Sequence, residues 1–448
     1  MRYIDVAKNI IDEYVFTTQK VDYSDEYNLI AGECSWFYDL FCHNTYQINN
    51  HTFHNKTFVD FIKDYEPTKL SYDEALNSDK KVILEFSLHT CANSPKPHQS
   101  MKDNFFDKLL QDNILIQKMR DNKLVILIYQ GWEAQNFTEK TKEEDTIDCY
   151  YELFQNVFKQ YNIPNTSIVM MGSNMNGYEY EKNYNFKYCK VNAIFDNLTE
   201  IQSFVDIPIH YTNYFNYSVD DYIDNIKKCD KKLLRISRTK NKYRDFMLYY
   251  LHKRNYIDEC VIEHPDFSTF QLDDFMDIDE SIITKIKNDL PYVASYYEKN
   301  IQVDDYSNKV IPHDVYKKTI FTWASTSLPE QIDKVFINQS TFKPILFYHP
   351  LVIHSQPNHI HYLKKSGYKS YDWLFDESLD TLYNHEWETK YQRLWKNIRG
   401  IDKVMNMTRD ELVGVISENK KSLQHNRDLL FECKSIERVI RKFYEITS

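Results

Sequence analysis

The sequence predicts an α/β protein of two domains, each built on a parallel β-sheet, with helices at the C-terminal end. Short runs of β-branched and apolar residues alternate with segments whose apolar residues recur at helical spacing, which is the pattern of strands covered by helices on both faces. This alternation occurs twice along the chain. With 448 residues, the chain is also longer than a single hydrophobic core usually supports.

The first predicted domain covers residues 1–205. Its predicted strands are residues 81–87, 123–129, 167–171 and 191–195, and its clearest predicted helices are residues 101–120 and 146–161. Continuous apolar runs of this length are typical of strands buried on both faces of a sheet. The non-periodic segment 206–218 is the predicted boundary.

The second predicted domain covers residues 206–385 and repeats the pattern. Its predicted strands are residues 233–237, 260–263, 334–337, 344–348 and 351–354. Residues 386–448 form the third predicted part, because apolar residues at spacings of three and four over 391–398, 411–416 and 429–443 indicate helices that pack back across the domains.

Composition excludes several classes of function. The chain has 7 glycines, whereas average usage would give about 30, and neither a GxGxxG nor a GxxxxGK[ST] motif is present. A bound phosphate must therefore be held by side chains and helix ends. The net charge of −11 argues against broad, sequence-independent binding to nucleic acid.

Cysteine usage and the N-terminus predict the compartment. Eight cysteines are scattered singly, which favours reduced thiols in the cytosol. The N-terminus carries acids where a signal peptide needs apolar residues, and no apolar run reaches the ~20 residues of a membrane helix. We expect a soluble protein in the cytoplasm, of the host cell if the protein is viral.

Segment 231–254 reads as a strand, a basic loop and a helix. Arg235, Arg238 and Lys240 lie around the strand-to-helix turn, where the positive end of the helix dipole adds to their field. This arrangement predicts a clamp for a diphosphate. The alternative is a solvated basic turn whose charges balance acidic neighbours.

A second candidate binding segment begins at Phe336. Its polar residues Gln339, Ser340, Thr341 and Lys343 lie between apolar runs, at the kind of junction where open α/β sheets bind ligands. The alternative is a capped helix start, in which Asn338 or Ser340 satisfies free N–H groups.

Further along, Asp376 and Glu377 are placed to bind a sugar hydroxyl, although an acidic surface loop is an equal alternative. The histidines of residues 349–361 resemble a metal cluster, but nearby prolines and the absence of cysteine favour surface or cleft histidines. We therefore predict no metal site and no cofactor beyond a co-substrate.

Two residues of the first domain are candidate general bases. Glu133 follows the strongest predicted strand, and His89 follows the strand before it. Both are therefore expected at the carboxyl edge of the first sheet, facing a cleft between the domains. For Glu133 the alternative is an exposed loop carboxylate beside a packing Trp132.

Several of these segments together resemble a family of phage and giant-virus proteins that look like GT-B glycosyltransferases. The resemblance covers about two thirds of the chain and is most specific in residues 336–345 (FINQSTFKPI), 362–369 (YLKKSGYK) and 376–380 (DESLD). Relatives in that family usually read FITEKTFKPI, LGFKTF and DESYD. Weaker parts of the resemblance include Trp132-Glu133 and Leu233-Leu234-Arg235.

The resemblance implies two Rossmann-like domains that face each other across a cleft. It also implies transfer of a sugar from a nucleotide-sugar donor, held by the second domain, to a hydroxyl acceptor over the first. A hydroxymethylated pyrimidine of phage DNA, a glycan and a protein are the candidate acceptors, and the oligomeric state is open.

Two departures from the family pattern matter. Gln339-Ser340 replaces Glu-Lys, and Ser325 lies where an acid is common. In GT-B enzymes such acids often hold the donor ribose or sugar, and a neutral partner lacks the charge-assisted part of the hydrogen bond. A non-catalytic binding or structural protein on a degenerate scaffold is therefore the alternative function.

Overall fold

The computed structural model describes most of the chain apart from its longer connections. The described residues are 3–17, 67–87, 110–130, 150–177, 192–196, 217–237, 241–264, 266–269, 272, 276–292, 313–326, 335–377, 380, 387–432 and 434–448. The chain divides into two compact units, one formed by residues 1–205 with 433–448 and the other by residues 206–432. Each unit contains its own parallel sheet.

Unit 1 is a five-stranded sheet whose strands follow one another in chain order. Its strands are β1 (Tyr14–Thr17), β2 (Lys81–Ser87), β3 (Leu124–Gln130), β4 (Ile168–Gly172) and β5 (Asn192–Phe195), and all neighbouring pairs are parallel. Its described helices are α1 (Tyr3–Glu13), α2 (Tyr72–Asn77), α3 (Asn113–Arg120) and α4 (Tyr150–Tyr161). Apolar side chains of α2, α3 and α4 are buried against those of β2, β3 and β4, as the continuous apolar runs predict.

The last helix of the chain, α14 (Lys434–Thr447), also belongs to unit 1 and packs on α1. The Tyr14 hydroxyl donates to Thr447 Oγ1 over 3.0 Å. Arg438 contacts the carboxylate of Asp196, just after β5, through Nε at 2.8 Å and Nη2 at 2.7 Å. The predicted C-terminal segment 386–448 is therefore divided between the two units.

Unit 2 is a four-stranded parallel sheet whose strand order is β7, β6, β8, β9. The strands are β6 (Leu233–Ile236), β7 (Cys260–Glu263), β8 (Phe321–Ser325) and β9 (Leu351–His354). The helices are α5 (Val219–Ile226), α6 (Lys242–Lys253), α7 (Glu280–Asp289), α8 (His313–Lys317), α9 (Gln339–Leu346), α10 (His359–Lys365), α11 (Trp387–Met405), α12 (Arg409–Glu418) and α13 (Lys420–Glu432). The alternation of strands and helices in both units confirms the predicted α/β class with parallel sheets.

Seven predicted strands match observed strands to within one residue at either end, namely β2, β3, β4, β5, β6, β7 and β9. Two predictions in unit 2 are wrong. Residues 344–348 are not a strand, because Pro344 lies inside α9 and the chain then turns through Phe347 and Tyr348. Residues 334–337 form no strand among their described residues, and β1 and β8 were not predicted.

Helix ends in this glycine-poor chain use other residues in the left-handed region. Asn122, Asn255 and Tyr348 have φ angles of 55°, 56° and 64°. Each follows a helix whose last turn closes with the paired backbone hydrogen bonds of a Schellman motif, as in Tyr348 N to Ile345 O and His349 N to Pro344 O. Asparagine is the residue that tolerates this region best after glycine.

Among the helices that the structure describes, none is long and apolar enough to cross a membrane.

Candidate functional site

The carboxyl edge of the unit 2 sheet contains a reversal of strand order between β6 and β8. From β6 the chain proceeds to β7 on one side, and β8 and β9 lie on the other side. At such a reversal of strand order, the connections from two neighbouring strands run to opposite sides, and the crevice between them is where open α/β sheets bind ligands. Ser237 follows β6, and Thr326, whose N–H donates to His354 O over 3.0 Å, follows β8.

The predicted basic clamp is partly described. Ser237 and Asn241, which flank it, belong to the described residues, whereas Arg238 and Lys240 lie outside them. Asn241 caps α6, with its side chain accepting from Tyr243 N over 2.9 Å. The end of β6 at Ile236 and the start of α6 at Lys242 therefore agree with the predicted strand, loop and helix of segment 231–254.

Arg235 lies inside the protein. Only 1% of its surface is exposed, and its Nη2 donates to the carbonyl of Arg244 over 2.7 Å. Burial, followed by the nearby charge of Arg244, lowers the pKa of Arg235 to about 9. Arg235 thus fixes the first turn of α6 to β6 and cannot contact a ligand in the crevice without leaving this position.

Arg244 connects the start of α6 to the end of β8. Its Nη2 donates to the carbonyl of Ser325 at the end of β8 over 3.0 Å. The next residue, Asp245, accepts from His264 Nε2 over 2.9 Å, and both of these side chains are buried. Burial lowers the pKa of His264, so the neutral imidazole donates through its Nε2–H. These side chains form a rigid support for the start of α6.

The start of α9 shows the capping arrangement. Asn338 Oδ1 accepts from Ser340 N over 3.2 Å and from Ser340 Oγ over 2.5 Å. Thr341 is fully buried, and its hydroxyl lies 3.0 Å from His359 Nε2. Only the backbone of Gln339 is described, in the first turn, and Lys343 is half-buried in the second. Ser340 and Thr341 therefore stabilise local structure in this conformation.

The predicted acidic residues also have structural partners. Asp376 Oδ2 lies 2.7 Å from Lys396 Nζ. Glu377 accepts from Tyr371 N over 2.8 Å and lies 3.1 Å from Lys364 Nζ, and burial raises its pKa. Both acids line a pocket that is described below.

Asp380, four residues after Asp376, caps α10 from outside that helix. Its carboxylate accepts from Ile360 N over 3.0 Å and from His361 N over 2.7 Å. Burial raises its pKa, and these hydrogen bonds and the charge of Arg393 oppose that increase. Asp380 is therefore held against the start of α10.

A pocket opens at the carboxyl end of β9. Its walls are β9 with the two residues after it, residues 375–377 with Asp380, and the face of α11 that carries Arg393 and Lys396. Its empty volume is about 500 Å³, including the mouth filled by solvent. On α11, Asn397 Nδ2 donates to Ile353 O over 3.0 Å, which fixes the helix along β9.

The histidines of residues 349–359 are buried and neutral. Burial lowers the pKa of His349, His354 and His359 to about 3. Nε2 of His349 lies 2.8 Å from the carbonyl of Tyr316, and its Nδ1 lies 3.1 Å from Thr322 Oγ1. In the described parts of the chain, no group of three or more His, Cys, Asp or Glu side chains is arranged to hold a metal ion.

The two candidate bases, His89 and Glu133, lie outside the described residues. The strands that they follow, β2 and β3, are parallel neighbours, with Ser87 paired to Tyr129 near their carboxyl ends. The chain therefore leaves both strands at the same edge of the unit 1 sheet.

Gln356 and Arg393, which line the pocket, were not predicted from the sequence. Arg393 is 7% exposed although it lies next to Leu394 on the apolar side of α11. The position of this arginine beside the apolar residues of α11 was the feature of the sequence that could have identified it. Gln356 is the second residue after β9, so its position after a correctly predicted strand could have identified it.

No protein-family model matches this chain, and no curated protein sequence matches it.

Proposed function

We propose that the chain is a nucleotide-sugar-dependent glycosyltransferase whose donor binds at the carboxyl edge of the unit 2 sheet. The observation that carries this proposal is the reversal of strand order between β6 and β8, together with the basic sequence 238–244 that leads from β6 into α6. The resemblance to the GT-B type adds the class of donor. In the proposed enzyme, the two units are Rossmann-like domains that face each other across a cleft.

The diphosphate is assigned to the start of α6. A helix start offers free N–H groups and the positive end of the helix dipole, and a chain with 7 glycines must supplement these with cationic side chains. Arg238, Lys240 and Lys343 are the proposed partners of the departing diphosphate. Arg235 positions the helix through the Arg244 carbonyl.

The acceptor is assigned to the carboxyl edge of unit 1. Glu133 or His89 would accept the proton of the acceptor hydroxyl. The acceptor oxygen then forms the bond to the anomeric carbon, and the bond from that carbon to the diphosphate oxygen breaks. The diphosphate leaves with the electron pair, stabilised by the cationic side chains.

A thermal-shift screen with UDP, GDP, CDP and their sugars tests donor binding, because a ligand that binds only the folded state raises its stability. We expect one nucleotide to raise the melting temperature. The variant Arg238→Ala/Lys240→Ala should reduce that shift, whereas Lys228→Ala should leave it unchanged, because Lys228 is an exposed lysine that precedes β6.

Transfer of radiolabelled sugar to hydroxymethylated DNA and to glycans then tests catalysis. Loss of transfer with retained donor binding in Glu133→Gln or His89→Asn would identify the base. For a DNA acceptor, affinity should also fall steeply with salt. A wild-type protein that binds no nucleotide at millimolar concentration would overturn the proposal in favour of a non-catalytic scaffold, an outcome that the neutral residues Gln339 and Ser325 would suit.

A further inference from the structure

The pocket at the end of β9 lies beside the crevice but is distinct from it. Strand β8 separates β9 from β6, but the ring of Tyr243, in the first turn of α6, lies 4.8 Å from the ring of His354 at the end of β9, measured between centroids, so the two sites adjoin. One extended ligand can reach both. The chemistry of the pocket walls indicates which part of such a ligand it holds.

The charged groups around the pocket already have partners. Asp376 is paired with Lys396, Glu377 with Lys364, and the Asp380 carboxylate accepts the two N–H groups that begin α10. Arg393 lies in the field of Asp380, which raises its pKa against the effect of burial. A charged ligand would therefore have to displace an existing pair, and a phosphate would also approach three carboxylates.

Two of the pocket's side-chain groups that lack a hydrogen-bond partner are neutral. His354 and Gln356 line it and are 1% and 2% exposed. Among the described residues, neither His354 Nε2 nor Gln356 Oε1 has a hydrogen-bond partner. Leaving such a group buried and unsatisfied is unfavourable. Two of them in one pocket therefore favour a ligand that supplies hydrogen bonds.

We propose that this pocket binds the sugar ring of the donor, with its hydroxyls hydrogen-bonded to Gln356 and His354. A hydroxyl both donates and accepts, so it can satisfy either face of an amide and either tautomer of a neutral imidazole. Ile360 and Phe375 in the pocket walls offer apolar surface to the C–H face of a sugar ring. This inference rests on the proposed function, because the sugar of such a donor is bonded directly to the diphosphate that is assigned to the start of α6, next to the pocket.

The test compares nucleotide and nucleotide-sugar binding in Gln356→Met, which keeps the length of the side chain and removes its amide. Titration calorimetry would use UDP and GDP together with UDP-glucose, UDP-N-acetylglucosamine and GDP-mannose. We expect the affinity for the nucleotide-sugar to fall about tenfold and the affinity for the matching nucleotide to stay unchanged. Gln392→Met is the matched control, because Gln392 is exposed on α11 and does not line the pocket.

Two results would overturn the inference while leaving the proposed function intact. Equal weakening of nucleotide and nucleotide-sugar would assign the pocket to the nucleotide, and unchanged binding of both would remove it from the donor site. If the wild-type protein binds no nucleotide, the proposed function fails. Saturation-transfer NMR with free glucose, mannose and N-acetylglucosamine then tests whether the pocket binds a sugar. A signal lost in Gln356→Met supports a sugar site, and no signal excludes it.

Discussion

Asparagine at helix ends performs in this chain the role that glycine has in most proteins. Asn122, Asn162 and Asn255 all have positive φ angles directly after a helix. Its short polar side chain makes the left-handed region less unfavourable than it is for alanine. Tyr348 is the bulky exception, and its hydroxyl is fixed by contacts with Arg427 and with Gln424 at 3.2 Å.

Asn255 allows a clean measurement of this effect, because it is exposed and its backbone closes α6 through Asn255 N to His252 O at 3.0 Å. We expect Asn255→Ala to lower the free energy of unfolding by about 1 kcal/mol, since alanine is strained at a φ of 56°. Asn255→Gly should change it by only a few tenths of a kcal/mol.

Chemical denaturation would measure both variants. Asn288→Ala is the control, because Asn288 is exposed inside α7 with helical backbone, and alanine there should be neutral or slightly stabilising. Equal stability of Asn255→Ala and Asn255→Gly would show that the left-handed backbone carries no such cost.

At the scale of elements, α10 depends on a carboxylate far away in sequence. The residue before the helix, Asn358, has a φ of 64° and makes no side-chain cap. Asp380 supplies the missing acceptor and adds a negative charge at the positive end of the helix dipole. The start of α10, the DESLD segment and the end of β9 are thereby held together around one pocket.

We therefore expect Asp380→Ala to destabilise the protein by about 1–2 kcal/mol, as removal of a helix cap does. Asp380→Asn should have a smaller effect, since its amide oxygen can still accept one hydrogen bond. Asp376→Ala is the matched control, because the Asp376 side chain is 59% exposed in its ion pair with Lys396, and such a pair should contribute less than about 1 kcal/mol. Urea unfolding measures all three, and equal midpoints for Asp380→Ala and Asp376→Ala would refute the capping role.

Strands and helices could be predicted from the sequence where a single pattern of residues dominated. Strands such as β2 and β3 are continuous apolar runs buried on both faces, so the run defines them. Residues 344–348 were wrongly predicted to be a strand because of the apolar run Ile345-Leu346-Phe347. In the structure this run is the last turn and C-terminal cap of a helix whose start is capped by Asn338. Strand β8 was missed because Thr322 and Ser325 interrupt its apolar pattern.

For the candidate site, the sequence predicted that polar groups lie at the carboxyl edge of the sheet. It did not predict which side chains or backbone groups these polar groups contact. The burial of Arg235 depends on which face of β6 it occupies and on the position of Arg244, nine residues later. The pairing of Glu377 with Lys364 likewise depends on how α10 returns to the segment 375–380. Such tertiary partners decide whether a charge is free to bind a ligand, and a single sequence does not contain them.

At the scale of the whole molecule, buried histidines distinguish the two units. In the described residues, every histidine belongs to unit 2, and burial lowers the pKa of five of them, namely His252, His264, His349, His354 and His359. Their neutral forms are favoured in the folded state. Unfolding at acidic pH therefore takes up protons that the folded state does not bind.

We expect this difference to make the stability of unit 2 depend on pH between about 6.5, the ordinary histidine pKa, and 3, the folded pKa of the three most buried histidines. Stability is fully present above this window and falls as pH decreases, by about 1.4 kcal/mol per pH unit for each such histidine. The buried Glu377 and Asp380, whose pKa values are raised, act in the opposite direction at the acidic end of the window.

Hydrogen exchange measured by mass spectrometry at pH 7, 5.5 and 4.5, corrected for the intrinsic pH dependence of exchange, would test this expectation. Protection should decrease in β9 and α10 before it decreases in β2 and β3, because the titrating groups surround the former. His359→Gln is the informative variant, since glutamine can still reach the Thr341 hydroxyl but does not titrate. The free energy of unfolding of this variant should fall less steeply with decreasing pH, with a slope that is smaller by the equivalent of about one bound proton. An unchanged slope would show that His359 does not drive the acid sensitivity.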